Sequence, residues 1–202
     1  DALTLGNHAW DQKEMLSHIE KNPNIIRAIN YPKGVPGKGH FKIELEDGRS
    51  ILIIQAMCRL FMGLLLDDPF AKLSDFLTSE VLGKTSKAIF IDLHGEATSE
   101  KNAFAHHFDG RVTSILGTHT HIPTSDERIL EKGTAYQTDV GMTGDYNSVI
   151  GMDKKLPIHA FVKGYREQGR FITANGKATI CGTFIKSNDN SGLAEEIETF
   201  RL

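Results

Sequence analysis

Three short segments constrain this chain more than any other feature. Each places side chains able to hold a metal directly after an apolar, strand-like run. Gly6-Asn7-His8 follows Ala2–Leu5, Asp92-Leu93-His94-Gly95-Glu96 follows Ala88–Ile91, and Gly117-Thr118-His119-Thr120-His121 follows Ser114–Leu116. In open α/β sheets, ligands gather beyond the carboxyl ends of the strands. Three segments with this placement are positioned to converge on one site, and they predict a layered α/β fold.

The rest of the chain fits that layout. Asp11, with Glu14 three residues on, reads as the N-cap of a short helix with Met15, Leu16 and Ile19 on its apolar face. Phe41–Leu45 and Ser50–Gln55 flank Glu46-Asp47-Gly48-Arg49, a hairpin signal. Asp67-Asp68-Pro69 opens a helix whose Phe70, Leu73, Phe76, Leu77 and Val81 recur at spacings of three and four, with Gly83 as its stop. Ser99–Phe108 reads as a further helix. Ala135–Thr138, Phe171–Thr173 and Thr179–Ile185 read as strands, and Ser187–Leu202 as a polar tail or an edge element. No repeat or linker divides the chain, so residues 1–202 are expected to form one domain. Its opening, Asp1-Ala2-Leu3-Thr4-Leu5-Gly6, is a strand already running into a glycine turn, without Met or a signal segment. The expectation is a chain whose first βα units lie upstream.

Taken singly, each histidine segment has a plain structural reading. If His119 and His121 are extended, a period of two puts both imidazoles on one face, where they suit Zn, Fe or Mn. A lone His-x-His is also a common turn. His94 reads equally as a satisfied structural histidine, with Asp92 and Glu96 either orienting it or serving as turn acids. Asn7 is a mediocre ligand that makes sense only beside a stronger site. His8, next to it, is a candidate proton donor rather than a ligand. Gly141-Met142-Thr143-Gly144-Asp145 could aim backbone amides at a phosphate, with Gly141 and Thr143 as contacts, or be a plain glycine loop.

Composition excludes several classes. A net charge of −3 gives no global basic field, so no membrane and no extended nucleic-acid surface is expected as partner. A phosphate-bearing substrate would have to be attracted locally. Two cysteines, Cys58 and Cys181, make no disulfide framework, which points to a reducing cytoplasm. The longest apolar run, Leu60–Leu66, is broken by Gly63 and is far short of the roughly 20 residues of a membrane span. The composition is compatible with a homo-oligomer.

Together, the three segments resemble the calcineurin-like metallophosphoesterases. The closer resemblance is to the bacterial YmdB-like phosphodiesterase subgroup. Its carriers are Gly6-Asn7-His8-Ala9-Trp10-Asp11, Asp92 through Lys101 (Asp-Leu-His-Gly-Glu-Ala-Thr-Ser-Glu-Lys) and Gly117-Thr118-His119-Thr120-His121. Asp67-Asp68-Pro69-Phe70 and Thr138 through Gly144 (Thr-Asp-Val-Gly-Met-Thr-Gly) extend it to about Ile185.

The resemblance implies a four-layer α/β/β/α sandwich, here truncated at its N-terminus. It implies two divalent ions, of Fe, Mn or Zn, with Asn7, His94 and His119 on one and His121 on the other. Small phosphodiesters, cyclic nucleotides among them, would be hydrolysed by in-line attack of a metal-activated hydroxide. His8 would act as general acid on the leaving oxygen. The family's Gly-Asp-x-x-Gly and Gly-Glu-Asn segments, which hold most of the second ion, do not precede Gly6 in this sequence. The second site is therefore expected to be weak or empty. A phosphomonoesterase or nuclease using the same metal pair is the enzymatic alternative, and a truncated, non-catalytic module is the other.

Overall fold

A computed structural model describes residues 1–202. The chain begins with β1 (Leu3–Thr4), a 3-10 turn at Gly6–His8, α1 (Met15–Lys21) and β2 (Ile25–Ile26). It continues through β3 (His40–Glu44), β4 (Ser50–Met57), α2 (Pro69–Phe76), β5 (Ala88–His94), α3 (Thr98–Phe108) and β6 (Ser114–Thr118). The last third contains β7 (Arg128–Ile129), β8 (Ala135–Gln137), α4 (Lys155–Lys163), β9 (Cys181–Ser187) and β10 (Ala194–Arg201).

The centre is a six-stranded sheet in the order β3-β4-β5-β6-β8-β7. The four middle strands are parallel, and the two edge strands run antiparallel to their neighbours. Parallel neighbours need crossovers, and helices α2 and α3 lie in those connections. Strand alternation then decides the faces. Ile54, Ile91, Ile115 and Tyr136 are in register on one face, where they are buried with Leu73, Phe104 and Phe108 of the two helices. Phe70, Phe104 and Phe108 pack edge-on, tilted or stacked at centroid separations of 4.6–6.5 Å. The opposite face carries Gln55, Asp92, His94, Thr118 and Gln137. The β9–β10 hairpin lies against that face, where Thr183 Oγ1 donates to Gln137 Oε1 at 2.6 Å. The architecture is thus mixed α/β, a central sheet flanked by helices. No helix is long and apolar enough to cross a membrane.

Local readings hold or fail for identifiable reasons. Asp68 caps α2, accepting from the Phe70 and Ala71 amides at 2.8 and 3.2 Å, with Pro69 in the first turn. That helix ends at Phe76, well before Gly83, as turns take over at Thr78 and Ser79. Asp11 does not cap α1: the helix starts at Met15, and the Asp11 carboxylate is bonded to His8 Nδ1 instead. The first strand is not buried. Leu3 is 61% exposed, and β1 pairs only with the two-residue β2. Phe171–Thr173 reduces to a single bridge between Met152 and Thr173. Helix α4 is absent from the sequence reading, since Pro157 near its start obscures a helical pattern that a first-turn proline tolerates. The polar tail resolves into β10, which pairs along the whole of β9.

Candidate metal centre

The sheet brings the second and third segments together by register. His94, the last residue of β5, pairs with Met57 of β4 on one side and Thr118 of β6 on the other. Beyond these strand ends lies a cleft of about 250 Å³ whose lining includes Asp92, His94, Thr118, His119, His121 and Gly141. The first segment arrives from the opposite side. Gly6 turns there with φ +61°, and a Cβ on it would lie 2.7 Å from His94 Cε1. Only glycine lets the Asn7 turn approach so closely. Gly117 has the same function behind His119, because a Cβ there would collide with the Thr138 carbonyl oxygen.

Three side chains meet in consequence. Asn7 Oδ1 lies 2.7 Å from His94 Nε2, and His119 Nδ1 lies 3.1 Å from the same nitrogen. The surroundings fix what those atoms carry. Thr118 Oγ1 donates to Asp92 Oδ1 at 2.6 Å, so its free lone pair accepts from His94 Nδ1–H at 2.9 Å. Gln55 Nε2 holds the other Asp92 oxygen at 2.9 Å. Burial, reinforced by the neighbouring His119 and Lys101, drives the His94 pKa down to about 3. The ring is therefore neutral, with its one proton on Nδ1. His119 Nε2 lies 3.3 Å from Glu96 Oε2. Burial also lowers the His119 pKa, with Glu96 opposing it.

With its Nδ1 proton given to Thr118, His94 turns Nε2 as a lone-pair atom toward Asn7 Oδ1 and His119 Nδ1. An amide oxygen and imidazole nitrogens placed this close can converge on one cation. In octahedral coordination with bonds of about 2.1 Å, neighbouring ligand atoms lie about 3.0 Å apart, close to the spacings seen here. Two imidazoles and an amide oxygen suit Fe, Mn or Zn. No three His, Cys, Asp or Glu side chains close on one point. The set reaches three donors only through Asn7. These residues fit one divalent ion.

His121 is placed differently. It lines the cleft, but its Nδ1 is bonded to the Ile150 carbonyl oxygen at 2.8 Å. The expected extended geometry of His119 and His121 does not occur. Strand β6 stops at Thr118, and the two histidines have φ of 114° and 70°. Non-glycine residues in that region are strained and persist only when their surroundings hold them. Here the hold comes from a buried ion pair. Lys101 Nζ donates to the Thr118 carbonyl (2.8 Å), the Thr138 carbonyl (3.0 Å) and Asp139 Oδ2 (3.2 Å). Asp139 in turn accepts from the Thr120 amide (3.0 Å), between the two histidines, and from the Gly141 amide (2.9 Å).

The other sequence candidates fall around this centre. His8 is largely exposed, and its Nδ1 contacts Asp11 Oδ2 at 2.8 Å. Its Nε2 makes no hydrogen bond. Asp92 acts on His94 through Thr118, and Glu96 lies beside His119 rather than His94. Gly141 lines the cleft, whereas Thr143 is exposed and outside its lining. The amides of Gly141, Met142 and Gly144 are bonded to Asp139, His121 and Thr179, so this loop does not present them to a phosphate. Sequence reasoning missed Thr118, Gln55, Lys101 and Asp139. Lys101 had left a signal: it precedes Phe104, Ala105 and Phe108 at spacings of three, four and seven, on the face of α3 that is buried.

Two expected results follow from this geometry. Thr118→Val cuts the link from Asp92 to His94, and metal affinity measured by calorimetry should fall about 10–100-fold, the usual cost of losing such a partner. Unchanged affinity would show that the tautomer is set elsewhere. The second concerns acid. The His94 pKa falls from 6.5 to about 3 on folding, so the unfolded chain takes up the proton first. The associated stability is complete above about pH 6.5 and is lost as pH falls toward 3, by up to about 1.4 kcal/mol per pH unit. With a chelator present, the melting temperature should drop between pH 7 and 5, and less so in His94→Gln. Parallel curves for the two proteins would contradict this.

Comparison with known proteins gives a consistent picture. The sequence profile described as YmdB-like protein matches residues 1–200. A Bacillus subtilis (strain 168) protein named 2',3'-cyclic-nucleotide 2'-phosphodiesterase is 46% identical over 198 residues, spanning 98% of this chain and 73% of its own length. A Mycoplasma genitalium protein with a phosphatase/phosphodiesterase name is 38% identical, over 100% of this chain and 72% of its own. Among solved structures, a hypothetical protein from Thermus thermophilus superposes with a TM-score of 0.90 at 42% identity, covering 100% of this chain and 76% of that one. A phosphatase from Mycoplasma pneumoniae does so with a TM-score of 0.89 at 33% identity, covering 100% and 71%.

Proposed function

This chain belongs to the YmdB-like protein family, a group of phosphoesterase-type hydrolases, and from that premise we propose that it is a metal-dependent phosphodiesterase acting on cyclic nucleotides. The observation that carries the metal dependence is the convergence of three lone-pair atoms, from Asn7, His94 and His119, on a single point. Divalent ions bound there and at His121 would supply charge neutralisation and an acidified water. The chain's own residues do the rest. Asp92 through Thr118 aims the His94 ring, Glu96 stands beside His119, and burial disfavours the protonated form of both imidazoles. Gly6 and Gly117 let the loops close on them. His8 stands beside Asn7 with an unoccupied Nε2 and serves as the proton donor to the departing oxygen. The substrate class follows the name of the Bacillus subtilis relative, whose length this chain covers to 73%.

The test combines metal analysis with turnover. Cyclic 2',3'- and 3',5'-mononucleotides, a cyclic dinucleotide and a monoester are offered to protein reconstituted with Mn, Fe or Zn. Hydrolysis of a cyclic mononucleotide, abolished by chelation and restored by metal, supports the reading. Faster turnover of the monoester would make it a phosphomonoesterase. One ion or fewer per chain, with no turnover even when metal is added, would make it a non-catalytic module. Within the active form, His8→Ala should lower turnover by about 10²–10⁴-fold without changing metal content, as loss of a general acid does.

A further inference from the structure

The overall charge of −3 hides a strong local asymmetry. Residues 154–177 carry six basic side chains and one acidic one, so this stretch is +5 and the remainder of the chain is −8. The same stretch exposes large apolar groups: Phe161 is 86% exposed, Val162 72% and Tyr165 61%. Along α4 runs an open groove of about 570 Å³, lined by Lys154, Lys155, Ile158, His159, Val162 and Lys163. Its one acid, Asp153, is turned to the Lys155 amide at 3.0 Å. The groove is linked to the candidate metal centre along the chain: Asp153, in its lining, is three residues from Ile150. His121 Nδ1 is bonded to the Ile150 carbonyl, and residues 151–153 are tied to the far end of the stretch through Ala174 N to Gly151 O (2.9 Å) and Asp153 N to Ile172 O (2.8 Å).

Lysines lining an open groove, with exposed aromatic and apolar side chains on the same stretch, form the chemistry that binds single-stranded nucleic acid. Ammonium groups follow the phosphates, and rings offer faces for bases. A second copy of the chain is disfavoured as occupant, because a twofold contact would press one +5 surface on another. A phosphodiesterase cleft tied to the groove through the Ile150–Asp153 segment favours a polynucleotide over a lipid surface. We propose that the substrate is a single-stranded oligoribonucleotide ending in a 2',3'-cyclic phosphate, with its terminus in the cleft and its preceding nucleotides along α4. This rests on the phosphodiesterase reading above. Water adds to the phosphorus, the bond from phosphorus to the 2'-oxygen breaks, and that oxygen takes up a proton, leaving a 3'-phosphate end.

The test compares metal-loaded protein on 2',3'-cyclic AMP and on a short oligoadenylate with the same cyclic end. The oligomer should show a kcat/KM at least about tenfold higher. Three lysine–phosphate contacts predict a fall of roughly 20-fold in oligomer binding between 50 and 200 mM salt. The double variant Lys155→Glu/Lys163→Glu should lose the oligomer advantage and leave the mononucleotide within about twofold. Equal kcat/KM for the two substrates, unmoved by the variant, overturns the proposal while leaving the phosphodiesterase reading intact. If neither is hydrolysed, fluorescence anisotropy with a labelled oligomer ending in 3'-phosphate decides. Salt- and variant-sensitive binding upholds the surface, and absent binding refutes it. Binding to phosphatidylserine vesicles without binding to the oligomer also refutes it.

Discussion

Replacing His94 with alanine is expected to lower turnover of a cyclic phosphodiester by about a thousandfold or more and to remove one metal ion per chain. His94 Nε2 is the atom that both Asn7 Oδ1 and His119 Nδ1 face, so its loss leaves two donors with nothing between them. An ion that stabilises a transition state by several kcal/mol accounts for that factor, at about 1.4 kcal/mol per decade. His121→Ala is the informative control. His121 is tied to Ile150 and does not share the three-atom cluster, so its loss should leave the first ion in place. Equal metal loss in both variants, by elemental analysis, would contradict the assignment.

The second large effect is on folding. Lys101→Met should destabilise the protein by about 3–5 kcal/mol, because it leaves the Asp139 carboxylate buried without its cation. Lys101 is fully buried, and both side chains of the pair are about 1% exposed. Denaturant unfolding measures the change. Lys101→Met/Asp139→Asn removes the stranded charge and should recover part of the stability, yet not the loop. An amide has one acceptor oxygen and cannot replace both carboxylate oxygens that hold the Thr120 and Gly141 amides. The double variant should therefore fold and bind metal poorly. A double variant with native metal affinity would show that His119 keeps its strained backbone unaided.

Much of this was legible in the sequence because the relevant signals are local. Buried strands β5 and β6 read as apolar runs, α2 announced itself with Asp68-Pro69, and the histidine segments lie where strands end. Register then did what alternation demands, placing Asp92, His94 and Thr118 on the face away from Ile91 and Ile115. What was not legible depends on partners distant in sequence. Glu96 reaches His119 rather than His94, its near neighbour. Asp11 turns to His8 rather than capping α1. Lys101 and Asp139 are 38 residues apart and meet only through tertiary packing. The positive φ values of His119 and His121 carry no sequence signature, since nothing but the surrounding hydrogen bonds enforces them. The −3 total charge averages a basic stretch at residues 154–177 against an acidic remainder, an asymmetry that shows only when charge is followed along the chain.

The central claim is that Asn7, His94 and His119 close around one cation. An anomalous difference map from crystals soaked in Mn²⁺ addresses it directly. The account predicts a peak about 2.0–2.3 Å from Asn7 Oδ1, His94 Nε2 and His119 Nδ1 together. A map with no peak between those three atoms, or with its strongest peak held by other side chains, would contradict it.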